Sequence, residues 1–401
     1  MRGAFSGNHR EEFFMFDKRS TLFPSKRHSC FLSHCAVSPL YVGAASAAAG
    51  FQRSMVKKGI LALAEFGDLL PRFREGFASF MKSSAEHISF VHSTAEAMCQ
   101  IANGYPFEAG DQIISYIHEY PSNHYPWLMQ KRRGVELILL PDSQHTDGFD
   151  SFGCTGGWSM ADLERLCTSR TRIVAISHVQ FVSGFAADLA ELGEFCRRRN
   201  IDLIVDGAQS LGCLPVYPEE YGIGAVAGSG WKWLLGPKGA AILYTSEQLR
   251  SKLTPTMAGP GMMRQRFDYL DHSWAPFSDG RMFEYSTIPW DHIAALTVVI
   301  EDVFNRYPIE KIRDEVFRLQ DLFLGHLDPD HFRVQRFEQM NRSGIITFLP
   351  EQNPQMIAME LAQKGVVITE RAGCLRLAPH FYLDDEEVIE AAAVCNECCT
   401  K

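Results

Sequence analysis

No stretch of this chain is apolar for long enough to cross a bilayer. The best candidate, YVGAASAAAGF at 41–51, is short and built mostly of small residues. The opening MRGAFSGNHREEFFMFDK also lacks the uninterrupted apolar core of a secretory signal and reads as a loosely held polar-aromatic arm. A soluble cytoplasmic protein is therefore expected. Basic excess is missing too: 39 Lys and Arg against 48 Asp and Glu leave a net charge of −9, which argues against a nucleic-acid surface. A local anion site stays open, because a few backbone N–H groups can hold a phosphate. There are no internal repeats and no low-complexity linker. No HxxxH or HExxH spacing prepares a metal site, and His92, His118, His124 and His178 read as polar edge residues, His178 being the one that could line a pocket. The 11 cysteines are scattered, and disulfide frameworks belong to small secreted domains, so reduced thiols are expected. Cys395, Cys398 and Cys399 do cluster in CNECC, but they continue the helical pattern DDEEVIEAAAV and no second Cys or His pair lies near, so no metal is expected there.

What is present is a core. The chain has 401 residues, 46% of them hydrophobic, enough for more than one domain. Seven β-rich runs punctuate its first two-thirds: ISFVHS (88–93), QIISYIH (112–118), VELILLP (135–141), RIVAISHV (172–179), DLIVDG (202–207), AVAGSG (225–230) and AAILYTS (240–246). Most are continuously apolar, as strands buried on both faces of a mainly parallel sheet must be. Helical segments at 158–170 and 188–200 lie between them, which predicts an α/β fold with helices on both faces. Past residue 290 the rhythm changes to a long helical region (291–327), the strands FRVQRF, GIITFLP, VVITER and CLRLAPHF, and a terminal helix. We expect an N-terminal arm and segment over 1–50, a large α/β domain over 51–290 and a small α+β domain with an antiparallel sheet over 291–401.

Ligands of open α/β sheets sit at the carboxyl ends of the strands. DLIVDGAQS brings Asp206 out of an apolar strand, either to cap the next helix or to partner a protonated ring nitrogen. STAEAMCQIANG follows ISFVH directly: Ser93 and Glu96 fit a capping box, and a helix beginning at a strand end offers free amides, with the Thr94 hydroxyl, to a phosphate. SGWKWLLGPKG crowds Lys232 between Trp231 and Trp233, which desolvates the amine, lowers its pKa and suits it to Schiff-base chemistry with an aldehyde. A phosphate cradle, an acid for a pyridinium and an amine for an aldehyde are the three requirements of pyridoxal 5′-phosphate (PLP). GIGAVAGSG at 222–230 mimics a dinucleotide loop but precedes no helix and leads straight into Lys232, so that reading is rejected.

The strings SHVQFVSG, VDGAQSLG and SGWKWLLGPKGAAILY, with STAEA, GDQIISYIHEYPSNHYPW, RMFEYST and LRLAPHFYLDDEEV, resemble the class V aminotransferase family of fold-type I PLP enzymes. That family includes cysteine desulfurases, selenocysteine lyases and isopenicillin-N-epimerase-like proteins. The resemblance spans roughly residues 30–395 and implies the PLP-dependent transferase fold type I, with a mainly parallel seven-stranded sheet. It implies that Lys232 carries the cofactor and moves the proton at the substrate Cα, that Asp206 keeps the pyridine nitrogen protonated, and that Gln209 bonds the ring's phenolic oxygen. Thr94, the amides around Ala95 and Ser229 would hold the phosphate. Thr287 would reach the phosphate of a neighbouring subunit, implying a homodimer. Arg376 would take the carboxylate of an amino-acid substrate, with Arg371 assisting and His34 reaching the site from the N-terminal stretch. The chain departs from the pattern at four places: Tyr120 and Trp231 stand where histidine is usual, Ala95 where threonine is, and Phe181 where asparagine is. Cys374, the only cysteine between 338 and 375, falls inside a strand, where packing is its expected role, and this disfavours a persulfide-forming desulfurase. A carbon–sulfur lyase or an aminotransferase is expected. The alternatives are an epimerase, a cysteine desulfurase or selenocysteine lyase, and a catalytically silent binding protein that keeps the fold.

Overall fold

The computed structural model describes residues 15–143 and 155–399, so residues 1–14 of the opening arm lie outside it. Its strands are β1 (Cys30–Phe31), β2 (Ile88–Val91), β3 (Gln112–Tyr116), β4 (Glu136–Leu140), β5 (Thr171–Ser177), β6 (Asp202–Asp206), β7 (Ala225–Ser229), β8 (Ala241–Thr245), β9 (Phe332–Val334), β10 (Ile346–Pro350), β11 (Val366–Val367), β12 (Thr369–Arg371) and β13 (Cys374–Leu377). The seven runs read from the sequence all join one sheet, in the order β2-β8-β7-β6-β5-β3-β4. Every residue of β6, β7 and β8 is buried, which is why these strands tolerate no polar alternation.

Direction decides where the chemistry collects. β3, β4, β5, β6 and β7 run parallel, and β8 alone runs against its neighbours β7 and β2. β2 therefore shares the direction of β7, and the carboxyl ends of β2, β3, β5, β6 and β7 emerge at a single edge. Register holds them level: Ser177 pairs with Asp206, and Asp206 with Ala227.

The second sheet is antiparallel, ordered β12-β13-β10-β9, and the helices Ile309–His326 and Asp385–Cys399 pack against each other beside it. The helical region expected as one piece over 291–327 is broken. Trp290–Val299 runs into a π turn over Ile300–Phe304, and a new helix starts only after Pro308. Proline lacks the N–H that a continuing helix needs. Residues 15–18 also differ from the loose arm expected. Phe16 packs on Tyr307 and Phe381 with ring centroids 5.1 and 5.0 Å away, and Lys18 pairs with Glu315 at 2.7 Å. Further on, β1 pairs in parallel with β11.

One glycine ties the large sheet to the turn that follows β7. Gly212 has φ +99°, and a Cβ there would lie 2.5 Å from the Trp233 carbonyl oxygen. Gly212→Ala therefore adds both backbone strain and a backbone clash, costing about 2 kcal/mol or more. We expect its thermal unfolding midpoint to fall by several degrees; an unchanged midpoint would contradict this close approach.

Candidate active site

The turn after β7 is built from backbone bonds. Gly230 N–H donates to Ala240 O at 2.8 Å, Gly236 N–H to Gly230 O at 2.7 Å, and Leu235 N–H to Lys232 O at 3.0 Å. Leu235 is buried and holds φ +55°, a left-handed conformation that a branched residue adopts only when its surroundings impose it. The N-terminal segment clamps the same turn: Ser38 N–H donates to Trp231 O and Tyr41 N–H to Leu235 O, both at 3.0 Å. From the other side, His380 Nε2–H donates to Trp233 O at 2.9 Å while its Nδ1 accepts from Phe381 N–H at 2.9 Å. Lys232 is thus presented by a rigid loop.

Its electrostatic setting is unusual. Burial pushes the Lys232 amine below its ordinary pKa, the charge on Asp206 opposes that shift, and the Arg376 guanidinium adds to it. Asp206, at the end of β6, is 4% exposed, and burial raises its carboxyl pKa against the opposing charge of Lys232 and the Ala208 N–H, which donates to Oδ1 at 2.9 Å. Among the described residues no cation pairs with Asp206 within 4 Å. A buried carboxylate with one oxygen left unbonded calls for a cationic donor.

An anion cradle sits at the neighbouring strand ends. Ser93 caps the helix Thr94–Gly104 by accepting from Glu96 N–H at 3.1 Å, as the capping box required. That leaves the amides of Thr94 and Ala95 without a helical acceptor. The Thr94 hydroxyl lies 3.2 Å from the Ser229 hydroxyl, and both residues are buried. Two hydroxyls and a helix N-terminus make a phosphate site. Tyr120, half exposed, places its ring centroid 5.5 Å from Lys232 Nζ. Gln209 donates from Nε2 to Cys35 O at 2.9 Å and accepts from Trp233 Nε1 at 3.1 Å, so one amide hydrogen stays available. Amine, carboxylate and phosphate cradle together fit PLP.

Arg376, on β13, is 2% exposed. Its Nη1 donates to Phe181 O at 2.7 Å and its Nη2 to Thr369 Oγ1 at 3.1 Å, while Nε has no partner. Among the described residues no carboxylate neutralises it. A desolvated guanidinium in this state can bind a carboxylate.

A model of the aminotransferase class-V family matches residues 52–385. The chain belongs to that family. It is a PLP-dependent enzyme of class V type, similar to cysteine desulfurases. A probable cysteine desulfurase of Methanothermobacter thermautotrophicus is 25% identical over 337 residues, 80% of this chain and 81% of the relative. A cysteine desulfurase of Escherichia coli O139:H28 is 31% identical over 303 residues, 73% of this chain and 70% of the relative. Among solved structures, the cystine C–S lyase C-DES in complex with its reaction product cysteine persulfide superposes with a TM-score of 0.83 at 20% identity, covering 93% of this chain and 99% of the other.

In this class V enzyme, Lys232, Asp206, Gln209, Thr94, Ser229, Trp231 and Tyr120 share one edge of the sheet. Three expected site residues stand apart. His34 is fully buried, and both its ring nitrogens are taken: Nδ1–H by Ala378 O and Nε2 by the Tyr382 hydroxyl, each at 2.8 Å. The N-terminal stretch does reach the lysine turn, but through Cys35, Ser38 and Tyr41, so His34 is removed from the substrate set. Arg371 is exposed at the turn joining β12 to β13, and its side chain makes no hydrogen bond or ion pair among the described residues. Thr287 is exposed and bonds nothing described within this chain. His178 lines a different cavity of about 740 Å³ with Leu214, Tyr221 and Arg313. Cys374 is buried in β13 as expected but is disulfide-bonded, a correction to the reduced thiols expected, whereas nine other cysteines are free. Sequence spacing carries no information about which sulfurs a fold brings together.

Glu119 was missed. It accepts from Ser177 N–H at 2.8 Å, from the Ser177 hydroxyl and from Asn123 Nδ2 at 3.0 Å, joining the ends of β3 and β5. Burial raises its pKa from 4.5 to about 7, against those hydrogen bonds and with help from Asp206. The signal was the HEYPSN spacing, which sets Asn123 four residues after Glu119. A carboxyl whose pKa is raised by folding contributes stability that is full below its unfolded value and is lost as pH rises through the folded value. Glu119→Gln does not titrate, so its stability relative to the parent should climb between pH 4.5 and about 7. Parallel melting curves for the two proteins across that window would refute the assignment.

Proposed function

We propose that this class V enzyme is a carbon–sulfur lyase acting on an α-amino acid of the cysteine type. The buried, uncompensated guanidinium of Arg376 carries the reading, because it sits with Lys232 where an α-carboxylate and its Cα would be presented together. PLP, when bound, supplies an electron sink for the bonding pair released at Cα. Lys232 would hold the cofactor and take the Cα proton, a task that the lowering of its pKa by burial favours. Asp206 would keep the pyridine nitrogen protonated, its buried carboxylate having no cation paired with it within 4 Å among the described residues. Thr94, Ser229 and the amides at the helix start would hold the phosphate, and Tyr120, beside the Lys232 amine, would cover the ring. Arg376 orients the substrate carboxylate with a planar fork that lysine cannot reproduce. Overall, water and an amino acid R–S–CH₂–CH(NH₃⁺)–COO⁻ give the thiol R–SH, pyruvate and ammonium.

Two observations favour elimination over persulfide transfer. C-DES, which shares this fold, is a cystine C–S lyase by its own description. Cys374, the cysteine that precedes Arg376 by two residues in sequence, is buried in β13 and disulfide-bonded, a poor position for a mobile nucleophile. A homodimer belongs to this proposal, with the exposed Thr287 completing the phosphate site of a neighbouring subunit.

Two variants test these roles. Lys232→Ala should lower kcat by at least about 10³-fold, and Arg376→Lys should raise KM by about 10–100-fold with a smaller effect on kcat. Single-turnover product analysis over a panel of amino acids should find pyruvate and free thiol in equal amounts. A keto acid retaining the sulfur substituent would make the enzyme an aminotransferase instead.

A further inference from the structure

Beside Tyr120, which the roles above assign to the cofactor, lies a second ring, Phe181, that none of them uses. The Tyr120 ring lies 5.5 Å from the Lys232 amine, and Phe181 meets that ring edge to face with centroids 5.2 Å apart. The carbonyl of Phe181 is the group that Arg376 Nη1 holds at 2.7 Å. Lysine, tyrosine, phenylalanine and arginine are therefore linked in one line, and Tyr120 and Phe181 both keep part of their surface accessible.

The backbone that carries Phe181 is held in place. The Gln180 side chain accepts from the amides of Val182 and Ser183, both at 2.6 Å, and donates to His118 O at 3.0 Å. The Val182 carbonyl in turn accepts from the Thr347 hydroxyl of the antiparallel sheet. The loop is pinned on both sides of Phe181, which fixes where the ring is attached, and its edge-to-face contact with Tyr120 orients it as a wall.

A substrate whose carboxylate meets Arg376 and whose Cα meets Lys232 has to lie along this wall. The wall offers ring edges and faces, with the Tyr120 hydroxyl as its polar atom. Such a surface gives nothing to a thiol that water does not, but it covers an apolar substituent and makes favourable contacts with a thioether sulfur. We propose that Phe181, with Tyr120, determines substrate specificity by selecting S-alkyl and S-aryl cysteines over cysteine itself. This rests on the lyase reading above. The reaction needs no oxidant or reductant: the C–S bond breaks, the sulfur leaves as the thiol, and water completes pyruvate and ammonium.

The test uses the PLP-loaded enzyme and its Phe181→Asn and Phe181→Leu variants. The first readout is equilibrium binding of L-phenylalanine and L-alanine, which carry no sulfur leaving group, followed by the absorbance of the bound cofactor. The second is kcat/KM for S-benzyl-L-cysteine relative to L-cysteine. The parent should prefer L-phenylalanine and S-benzyl-L-cysteine, and Phe181→Asn should cut both preferences by about 10–100-fold, the effect of losing one well-covered apolar group. Phe181→Leu should keep most of the preference. Equal binding of the two amino acids by the parent overturns the proposal, whether or not the asparagine variant folds, and so does an unchanged preference in a folded, PLP-loaded Phe181→Asn. Preferential binding of L-phenylalanine without pyruvate from any S-substituted cysteine would instead overturn the lyase reading and leave the wall standing.

Discussion

Two opposite charges, the buried Asp206 and the half-buried Lys232, lie at and just beyond the ends of neighbouring strands without pairing directly. Asp206 and Lys232 each feel the other as the main term opposing their desolvation, yet no ion pair within 4 Å joins them. Burying an ion costs on the order of several kcal/mol even after relaxation. A fold that maintains this arrangement is held apart by covalent and hydrogen-bonded constraints stronger than the attraction. On the Asp206 side these are the register of β6 between β5 and β7 and the Ala208 amide. On the Lys232 side they are the closed turn and its three outside clamps, Ser38, Tyr41 and His380.

Those clamps explain why the N-terminal segment crosses the molecule. From Phe16 through β1 it is bound chiefly to the C-terminal part: Lys26 pairs with Asp384 and Glu387, and β1 pairs with β11. Ten residues later the same segment is bonded to the turn that carries Lys232. His34 and His380 pack at this crossing beside Trp233, their rings 5.9 and 5.6 Å from it. Burial holds both histidines below their ordinary pKa, His380 at about 4, so they serve as neutral, directional bonds between segments.

The large sheet was legible because both faces of its strands are buried. Runs such as DLIVD and AVAGS admit no polar alternation, and the residues that break them, Asp206 and Ser229, are where the chain leaves the sheet. Lys232 and Asp206 could be read for the same reason, since a charge next to a buried run needs an explanation. Side-chain partners were not legible. His34 and Arg371 have the right chemistry for the site, but whether a histidine's nitrogens are free depends on residues more than 340 positions away. Glu119 escaped notice because its raised pKa comes from burial between strands that are remote in sequence.

Arg376 shows how little separates a working anchor from a surface charge. In the hairpin of β12 and β13, Arg376 pairs with Thr369 at the end away from the turn, and Arg371 pairs with Cys374 beside it. Ala372 and Gly373 make that turn with φ of +51° and +82°. Two arginines five residues apart thus end in opposite conditions, one exposed and the other desolvated against Phe181. The carbonyl of Phe181 and the hydroxyl of Thr369 hold the guanidinium plane without neutralising its charge, because neither is an anion. The protein thus orients the guanidinium and leaves its charge uncompensated, a state that favours a carboxylate ligand. It also fixes the wall at Phe181 relative to the bound carboxylate, since one hydrogen bond serves both.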